Sequence, residues 1–201
     1  MPRNKKNKQS GFTLVELLVA MAIFALFITI SASSLVNVLK IEQKANVLRQ
    51  TESGARYILE TISREARSAN GEFDANGARI TAAYSVPPGT TLFIFSTDFS
   101  VNPPKVTEVK YFAFNDLLYR YVYEKSIGSP SYTPKSSTTL NNANDIKITI
   151  FSASVSNPPD LLTPPKLTMT LQAQSGKNVG AIKTEYSATV DLKTSVSPRN
   201  Y

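Results

Sequence analysis

The stretch that decides the fold is residues 12–39, which read FTLVELLVAMAIFALFITISASSLVNVL. The run is apolar apart from a few small polar side chains, and its single ionisable residue is Glu16. About 20 consecutive apolar residues are enough for a helix to cross a bilayer. Residues 12–39 are therefore predicted to form a helix that lies in a membrane or in a packed helical bundle.

The positive charge of the chain is concentrated in front of this run. The formal net charge is +7, and Arg3, Lys5, Lys6 and Lys8 contribute four of those charges within the first eleven residues. The other 190 residues carry 18 basic and 15 acidic side chains. Basic residues just before an apolar span are held on the cytoplasmic side of a membrane. This pattern favours a topology signal over a nucleic-acid-binding surface.

The helical pattern continues beyond the apolar run. Apolar residues recur every three or four positions, a spacing broken only at Glu52, and they form one stripe: Ile41, Ala45, Leu48, Ala55, Leu59, Ile62 and Ala66. Two acid–base pairs at four-residue spacing flank the stripe, Glu52 with Arg56 and Glu60 with Arg64. Gly54 is its weak point, and Asn70-Gly71 is the predicted stop. The pattern predicts a helix over 12–70, about 85 Å long.

After Gly71 the sequence changes to short strands separated by proline-rich loops. Strict alternation predicts half-buried strands at Asp145–Phe151, Lys166–Gln172 and Glu185–Lys193, with apolar faces Ile146/Ile148/Ile150, Leu167/Met169/Leu171 and Tyr186/Ala188/Val190/Leu192. Val106–Phe114 and Leu117–Tyr123 are predicted to form a hairpin around Asn115-Asp116. Leu92–Phe95 and Arg79–Tyr84 are shorter strand candidates, and Ile127–Asn144 is predicted to be a surface loop.

The predicted fold class is α+β, with one long N-terminal helix packed on a C-terminal antiparallel sheet, because the apolar faces of helix and strands cover each other. The predicted divisions are residues 1–11 as a leader, 12–39 as the transmembrane half of the helix, 40–70 as its amphipathic half, and 72–201 as a β-rich head.

Several kinds of chemistry are excluded by composition. The chain has no cysteine and no histidine, so disulfides, Cys nucleophiles, His bases and metal sites built from these residues are absent. The sequence shows no nucleophile elbow, no phosphate-binding glycine loop and no metal-ligand spacing. The sequence therefore predicts neither an enzyme nor a bound cofactor.

The segment Gly11–Ala20, GFTLVELLVA, closely resembles the N-terminus of type IV prepilins and type II secretion pseudopilins. The likeness combines a glycine at the junction, an aromatic residue after it, an acid four residues later and a long apolar run. It is close over about residues 6–40 and loose after the helix. The resemblance implies a subunit of a type IV pilus-like filament with a pilin-like fold.

The resemblance also implies a role for each motif residue. Gly11 would end a leader that a prepilin peptidase removes, and Phe12 would become the N-methylated N-terminus. Glu16 would pair with the terminal amine of a neighbouring subunit during assembly. The implied partners are the peptidase, other pilin or pseudopilin subunits, an inner-membrane assembly platform, and membrane lipid before assembly. The implied location is the inner membrane, with the N-terminus inside, and then an external or periplasmic filament.

Physical chemistry allows two interpretations of Glu16. A carboxylate in an apolar helix costs about 2.5–3.5 kcal/mol at the bilayer centre and less near the interface. A protonated amine on the next subunit would offset that cost and fix the axial register. Alternatively, Glu16 lies near the membrane edge and is simply solvated. The motif around Glu16 favours the pairing.

Two weaker resemblances favour a minor subunit over the major one. The C-terminal Ser197–Tyr201 resembles the Arg-Asn ending of many minor pilins. Val109–Arg120, VKYFAFNDLLYR, resembles the "Y…L-x-R" stretch of J-type pseudopilins. The aromatic run over residues 111–123 is better explained by sheet packing than by stacking on nucleic-acid bases.

Three alternatives remain open at this stage. The first is a pilus-borne subunit whose head binds DNA or a surface, for which Ile127–Asn144 is the candidate loop. The second is a signal-anchored membrane protein with an unrelated β-domain. The third is an ordinary secreted domain, because Ser31–Ser34 resembles a signal-peptidase site after the apolar run.

Overall fold

The computed structural model describes residues 12–87, 91–156, 164–176 and 187–199. These residues form one helix, α1 (Leu14–Ser68), followed by ten strands. The strands are β1 (Glu72–Phe73), β2 (Arg79–Thr81), β3 (Tyr84–Ser85), β4 (Leu92–Asp98), β5 (Lys105–Phe114), β6 (Leu117–Ser126), β7 (Thr133–Thr139), β8 (Ile146–Ser156), β9 (Lys166–Ser175) and β10 (Thr189–Val196). The predicted α+β class, one long N-terminal helix followed by antiparallel sheets, is confirmed.

The strands form three sheets, in which every pairing is antiparallel. β1 pairs with β2, five strands follow the order β3-β4-β5-β6-β7, and three follow the order β10-β9-β8. The chain divides into two compact units, with the boundary between Gln43 and Lys44. The helix therefore contributes residues to both units, and the sheets belong to the second.

The core of the second unit joins the later part of α1 to both large sheets. Ile58 and Ile62 of the helix are 1% and 0% exposed. They belong to one apolar cluster with side chains of the five-stranded sheet (Leu92, Ile94, Tyr111, Leu118) and of the three-stranded sheet (Leu167, Met169, Leu171). A single helix face thus covers the apolar faces of both sheets, and the apolar side chains of the helix and of the sheets are removed from water together.

The buried helix face differs from the predicted stripe at its N-terminal end. Leu48 is exposed, so its assignment to the face that covers the sheets is wrong, whereas Val47 and Thr51 are buried. Ile41 belongs to the first unit and is exposed there. The hydroxyl of Thr51 donates to the carbonyl of Val47 at 2.9 Å, and this bond allows a polar residue into the core. From Ala55 to Ala66 the prediction is confirmed, as are the ion pairs Glu52–Arg56 and Glu60–Arg64.

Two strand predictions are wrong for identifiable reasons. Ile146, Ile148 and Ile150 do not share a face, because a bulge between Ile148 and Ile150 shifts the alternation. Ile150 is consequently exposed, and Phe151 takes its place in the core. The predicted strand Arg79–Tyr84 is instead split, since β2 pairs with β1 while β3 joins β4.

The predicted loop at Ile127–Asn144 contains a strand, β7, so that prediction is also wrong. All seven residues of β7 are exposed, and it pairs with β6 through its backbone. No alternation of apolar residues marks such an edge strand, although its β-branched threonines suit an extended backbone.

The remaining strand predictions agree with the structure, except that β10 is Thr189–Val196 and not the predicted Glu185–Lys193. Leu167, Met169 and Leu171 are all fully buried, and the β5–β6 hairpin turns at Asn115 and Asp116, which have φ values of 50° and 65°. Both positive values belong to a two-residue turn that Asn and Asp tolerate well. Ala188 is buried and Val190 and Leu192 are half-buried, whereas Tyr186 lies outside the described residues.

Candidate functional site

The candidate processing and assembly site lies at the start of α1. Phe12 and Thr13 precede the first helical residue, Leu14, and Phe12 is 79% exposed to solvent. Gly11, the predicted last residue of the leader, lies outside the described residues. The structure therefore describes one side of the predicted cleavage point.

Thr13 caps the helix. Its hydroxyl accepts a hydrogen bond from the backbone N–H of Glu16 at 3.3 Å, and its carbonyl accepts one from Leu17 at 3.2 Å. Thr13 and Glu16 have the spacing of a capping box, in which a Ser or Thr is followed three residues later by an acid. This role of Thr13 was not predicted from the sequence, although residues 13–16 follow the Thr-x-x-Glu pattern of a capping box.

Glu16 lies in the first turn of α1 with its side chain exposed. Its negative charge is favourable there, because the first turn of a helix carries unpaired N–H groups and a partial positive charge. Four residues separate Glu16 from Phe12, which is about one helical turn. The carboxylate is thus positioned near the N-terminal end of the helix, where a terminal amine would be found after cleavage.

The helix surface after Glu16 is apolar and uncovered. Large apolar side chains from Leu14 to Leu39 are 49–82% exposed. In length and composition α1 is the one helix among the described residues that could cross a membrane, with a mean hydropathy of 2.5 over its most apolar window. Exposed apolar surface of this extent normally lies against lipid or against other proteins.

In the second unit, a polar cluster fastens α1 to the five-stranded sheet. Arg120 of β6 donates to Oε1 of Glu65 from its Nε at 2.9 Å and also from Nη2. The hydroxyl of Tyr111 on β5 donates to the other carboxylate oxygen of Glu65. Tyr111 and Arg120 face each other across the β5–β6 pair, so the two strands present one receptor for a single carboxylate.

Burial and the negative charge of Glu65 raise the pKa of Tyr111 well above its ordinary value. The phenol therefore stays protonated and remains a donor to Glu65 at every pH at which proteins are handled. Tyr111 and Arg120 are the tyrosine and arginine of the "Y…L-x-R" stretch. Within the head, these two residues hold the helix to the sheet.

The end of α1 is joined to β4 by a second set of hydrogen bonds. The Asn70 side chain donates to the carbonyl of Thr97 at 2.9 Å and accepts from its N–H at 2.7 Å. The Thr97 hydroxyl donates to the carbonyl of Gly71 at 2.8 Å. Gly71 has a φ of 95°, which suits glycine best, so Asn70-Gly71 serves both as helix stop and as a link to the sheet.

Comparisons with known proteins identify the N-terminal segment. Residues 6–32 match the family model described as the prokaryotic N-terminal methylation motif, which is the signal of type IV pilins and pseudopilins. The match includes Gly11, Phe12, Thr13 and Glu16 and covers 27 of the 201 residues. Such a motif points to a structural pilin-type protein rather than to an enzyme family. No curated protein and no solved structure matches the chain.

Proposed function

We propose that this protein is a structural subunit, a minor pilin or pseudopilin, of a type IV pilus-like filament. The observation that carries the proposal is the methylation motif at residues 6–32, followed by an uncovered apolar helix surface as far as Leu39. A protein that moves from membrane to filament needs both features. It needs a signal for N-terminal processing and a helix whose apolar surface can contact first lipid and then other subunits. Its mechanism is assembly and involves no catalysis.

Maturation begins with removal of the leader between Gly11 and Phe12 by a prepilin peptidase on the cytoplasmic side. The basic residues Arg3, Lys5, Lys6 and Lys8 keep the leader on that side, where the peptidase acts. A glycine before the cut allows the chain to enter a narrow active site in an extended form. Phe12 then carries the new amine, which is methylated.

Assembly uses Glu16 as the residue that sets the register. A carboxylate within the apolar surface is unfavourable in lipid and becomes favourable when the terminal amine of a neighbouring subunit neutralises it. Any other axial register would leave two charges unpaired in an apolar environment. The inner-membrane platform and its ATPase extract the subunit, and the head then lies on the outer side of the membrane.

The choice of a minor subunit is supported by Ser197–Tyr201 and by Val109–Arg120, the two stretches that resemble minor pilins and J-type pseudopilins. In the second stretch, Tyr111 and Arg120 have a packing role in the contact with Glu65. A residue pair that holds helix and sheet together would be retained in subunits that share this head arrangement.

The first test is the mature N-terminus, measured by mass spectrometry of the full chain co-expressed with a prepilin peptidase. A start at methylated Phe12 is expected, and Gly11→Val is expected to leave the leader attached because the added side chain obstructs the peptidase. A start at Met1 in the wild type would indicate a signal-anchored membrane protein. A start just after Ala32–Ser34 would indicate an ordinary secreted domain.

A further inference from the structure

The face of the five-stranded sheet that points away from α1 carries a row of aromatic side chains. Phe112 of β5 stacks on Tyr119 and Tyr121 of β6, with ring centroids 5.2 and 5.6 Å apart and ring planes within 18° of parallel. Tyr121 in turn stacks on Tyr123 at 6.4 Å. Cross-strand aromatic pairs such as Phe112 with Tyr119 stabilise the sheet, and they also present an aromatic surface on the face away from the core.

A groove lies beside this row, between the tyrosines of β6 and the edge strand β7. It has a volume of about 470 Å³ and is lined by Tyr119, Tyr121, Ser137, Thr138 and Thr139. Tyr119 faces Thr139 and Tyr121 faces Ser137 across the β6–β7 pair. Phe112 stacks on both tyrosines from β5, which lies on the side of β6 away from β7. The groove therefore has the two tyrosines on one side and the small hydroxyl side chains of Ser137 and Thr139 on the other.

The hydroxyl groups around this groove lack partners among the described residues. Tyr84, Tyr111 and Tyr132 use their hydroxyls in hydrogen bonds to Ala66, Glu65 and Glu72. Within residues 12–87, 91–156, 164–176 and 187–199, the hydroxyls that line the groove have no such partner. Thr138 lies opposite Arg120, on the other face of the β6–β7 pair. The groove thus offers four hydroxyl groups that both donate and accept hydrogen bonds, those of Tyr119, Tyr121, Ser137 and Thr139.

We propose that this groove binds a neutral carbohydrate chain. A pyranose ring presents hydroxyl groups at its rim, which match the Ser, Thr and Tyr hydroxyls, and C–H groups on its faces. Aromatic ring faces carry partial negative charge and attract polarised C–H groups. The groove is shallow and open to solvent, which suits a chain lying along the surface better than an enclosed small molecule. None of the five lining residues is charged, which favours a neutral sugar over an acidic one.

Nucleic acid fits this groove less well. Single-stranded nucleic acid needs a cationic track beside the stacking aromatics, since the phosphates supply much of the affinity. Two lysines lie near the row, and both are engaged. Lys110 of β5, opposite Tyr121, lies against the rings of Phe93 and Phe112 on the side away from β7, and Lys135 of β7 forms an ion pair with Glu124. The residues that line the groove carry no such charge.

The test titrates the full chain, held in a detergent without a sugar head group, with cellohexaose, chitohexaose and maltohexaose by calorimetry. Binding of at least one hexasaccharide is expected with a Kd of about 0.1–10 mM. Tyr121→Ala and Tyr119→Ala should each weaken it about tenfold or more, because an aromatic face is lost. Tyr57→Ala is the matched control, since Tyr57 is an exposed tyrosine on α1, distant in sequence and on another element.

Tyr121 also stacks on its neighbours, so Tyr121→Ala could lose binding because the sheet is destabilised. A second variant tests the groove without removing an aromatic ring. Thr139→Arg should fill the groove from an exposed edge position and abolish binding, whereas Ser136→Arg, on the alternate face of the same strand, should not. Failure of all three hexasaccharides to bind would overturn the proposal. Sugar binding that persists in Thr139→Arg would also overturn it. So would binding of an oligothymidylate, but of no sugar, if Lys110→Ala weakened that binding.

Discussion

At the scale of single residues, the contact of Glu65 with Tyr111 and Arg120 is a polar link between α1 and the five-stranded sheet. Glu65 and Arg120 have side chains only 27% and 22% exposed. Removing one member would leave the others poorly solvated and without a partner. Leaving one buried polar group without its partner costs about 1–3 kcal/mol of stability. This cost exceeds the net stability that a hydrogen bond contributes when both groups could otherwise bond to water.

We therefore expect Glu65→Ala to lower the free energy of unfolding of the head by about 2 kcal/mol. Tyr111→Phe should lower it by less, since only one hydroxyl is lost. The measurement is urea unfolding of the full chain in detergent, followed by near-ultraviolet circular dichroism of its tyrosines. Glu60→Ala is the control, because the Glu60–Arg64 pair is largely solvent-exposed and surface pairs contribute little. Equal effects of the two variants would contradict the importance of the Glu65 contact.

Glu108 on β5 gives a prediction about pH. Burial raises the pKa of the Glu108 carboxyl above its ordinary 4.5, and the charges of Lys110 and Lys125 oppose this effect while that of Glu72 adds to it. The folded state therefore holds the proton more tightly than the unfolded state, so ionisation of Glu108 costs stability as the pH rises above about 4.5.

Glu108→Gln should consequently gain stability relative to the wild type as the pH rises from about 4 to 7. The difference between the two unfolding midpoints, measured across that range, reports Glu108 alone, since the other groups titrate in both proteins. A difference that stays constant, or changes in the opposite direction, would show that the pKa is not raised.

At the scale of elements, Gly54 in the middle of α1 has a structural reason. A Cβ atom at Gly54 would lie 1.9 Å from Cδ1 of Ile146, the first residue of β8, and 3.4 Å from its Cγ1. The sequence alone marks Gly54 as a weak point, since glycine costs about 1 kcal/mol relative to alanine in a helix. The structure shows that the missing side chain makes room for β8.

This close approach predicts coupling between positions 54 and 146. Gly54→Ala alone should gain less than the roughly 1 kcal/mol of helix propensity, because Ile146 must move. Ile146→Val removes Cδ1, so in that background Gly54→Ala should recover the full gain. A double-mutant cycle of unfolding free energies measures the difference, and additive effects would show that Ile146 yields without cost.

The elements also show where pattern reading succeeds and fails. Regular alternation identified β9 correctly, since Leu167, Met169 and Leu171 all enter the core. It failed at β8, where a bulge after Ile148 changes the face without leaving a mark in the sequence. It also failed at β7, because an exposed edge strand is held by backbone pairing and has no apolar face to detect.

At the scale of the whole molecule, the first 39 residues allow most of the function to be predicted from the sequence. The later residues form most of the structure that the sequence did not predict. The motif around Gly11, Phe12 and Glu16 is local, so its spacing can be read directly, and residues 6–32 match the methylation motif. The Glu65 contact and the groove at β7 depend on residues brought together from distant positions. Positions 65, 111 and 120 meet only because two strands and a helix pack in one register.

Assembly through α1 yields the last prediction, which concerns Glu16. Glu16→Gln removes the charge but keeps the shape, and the peptidase site at Gly11 and Phe12 is unchanged. We expect normal removal of the leader and normal membrane insertion, with loss of incorporation into filaments. Losing an offset of about 2.5–3.5 kcal/mol per subunit contact corresponds to roughly a hundredfold weaker association.

The measurement compares the mature N-terminus with the amount of the chain that co-purifies with sheared filaments. Glu42→Gln is the matched control, because Glu42 is an exposed glutamate of the same helix that lies outside residues 6–32. Incorporation of Glu16→Gln at the wild-type level would show that the carboxylate serves only the solvated end of the helix. Loss of incorporation with an uncut leader would assign Glu16 to recognition by the peptidase. A processed but unassembled subunit separates the two roles and leaves register selection as the function of the charge.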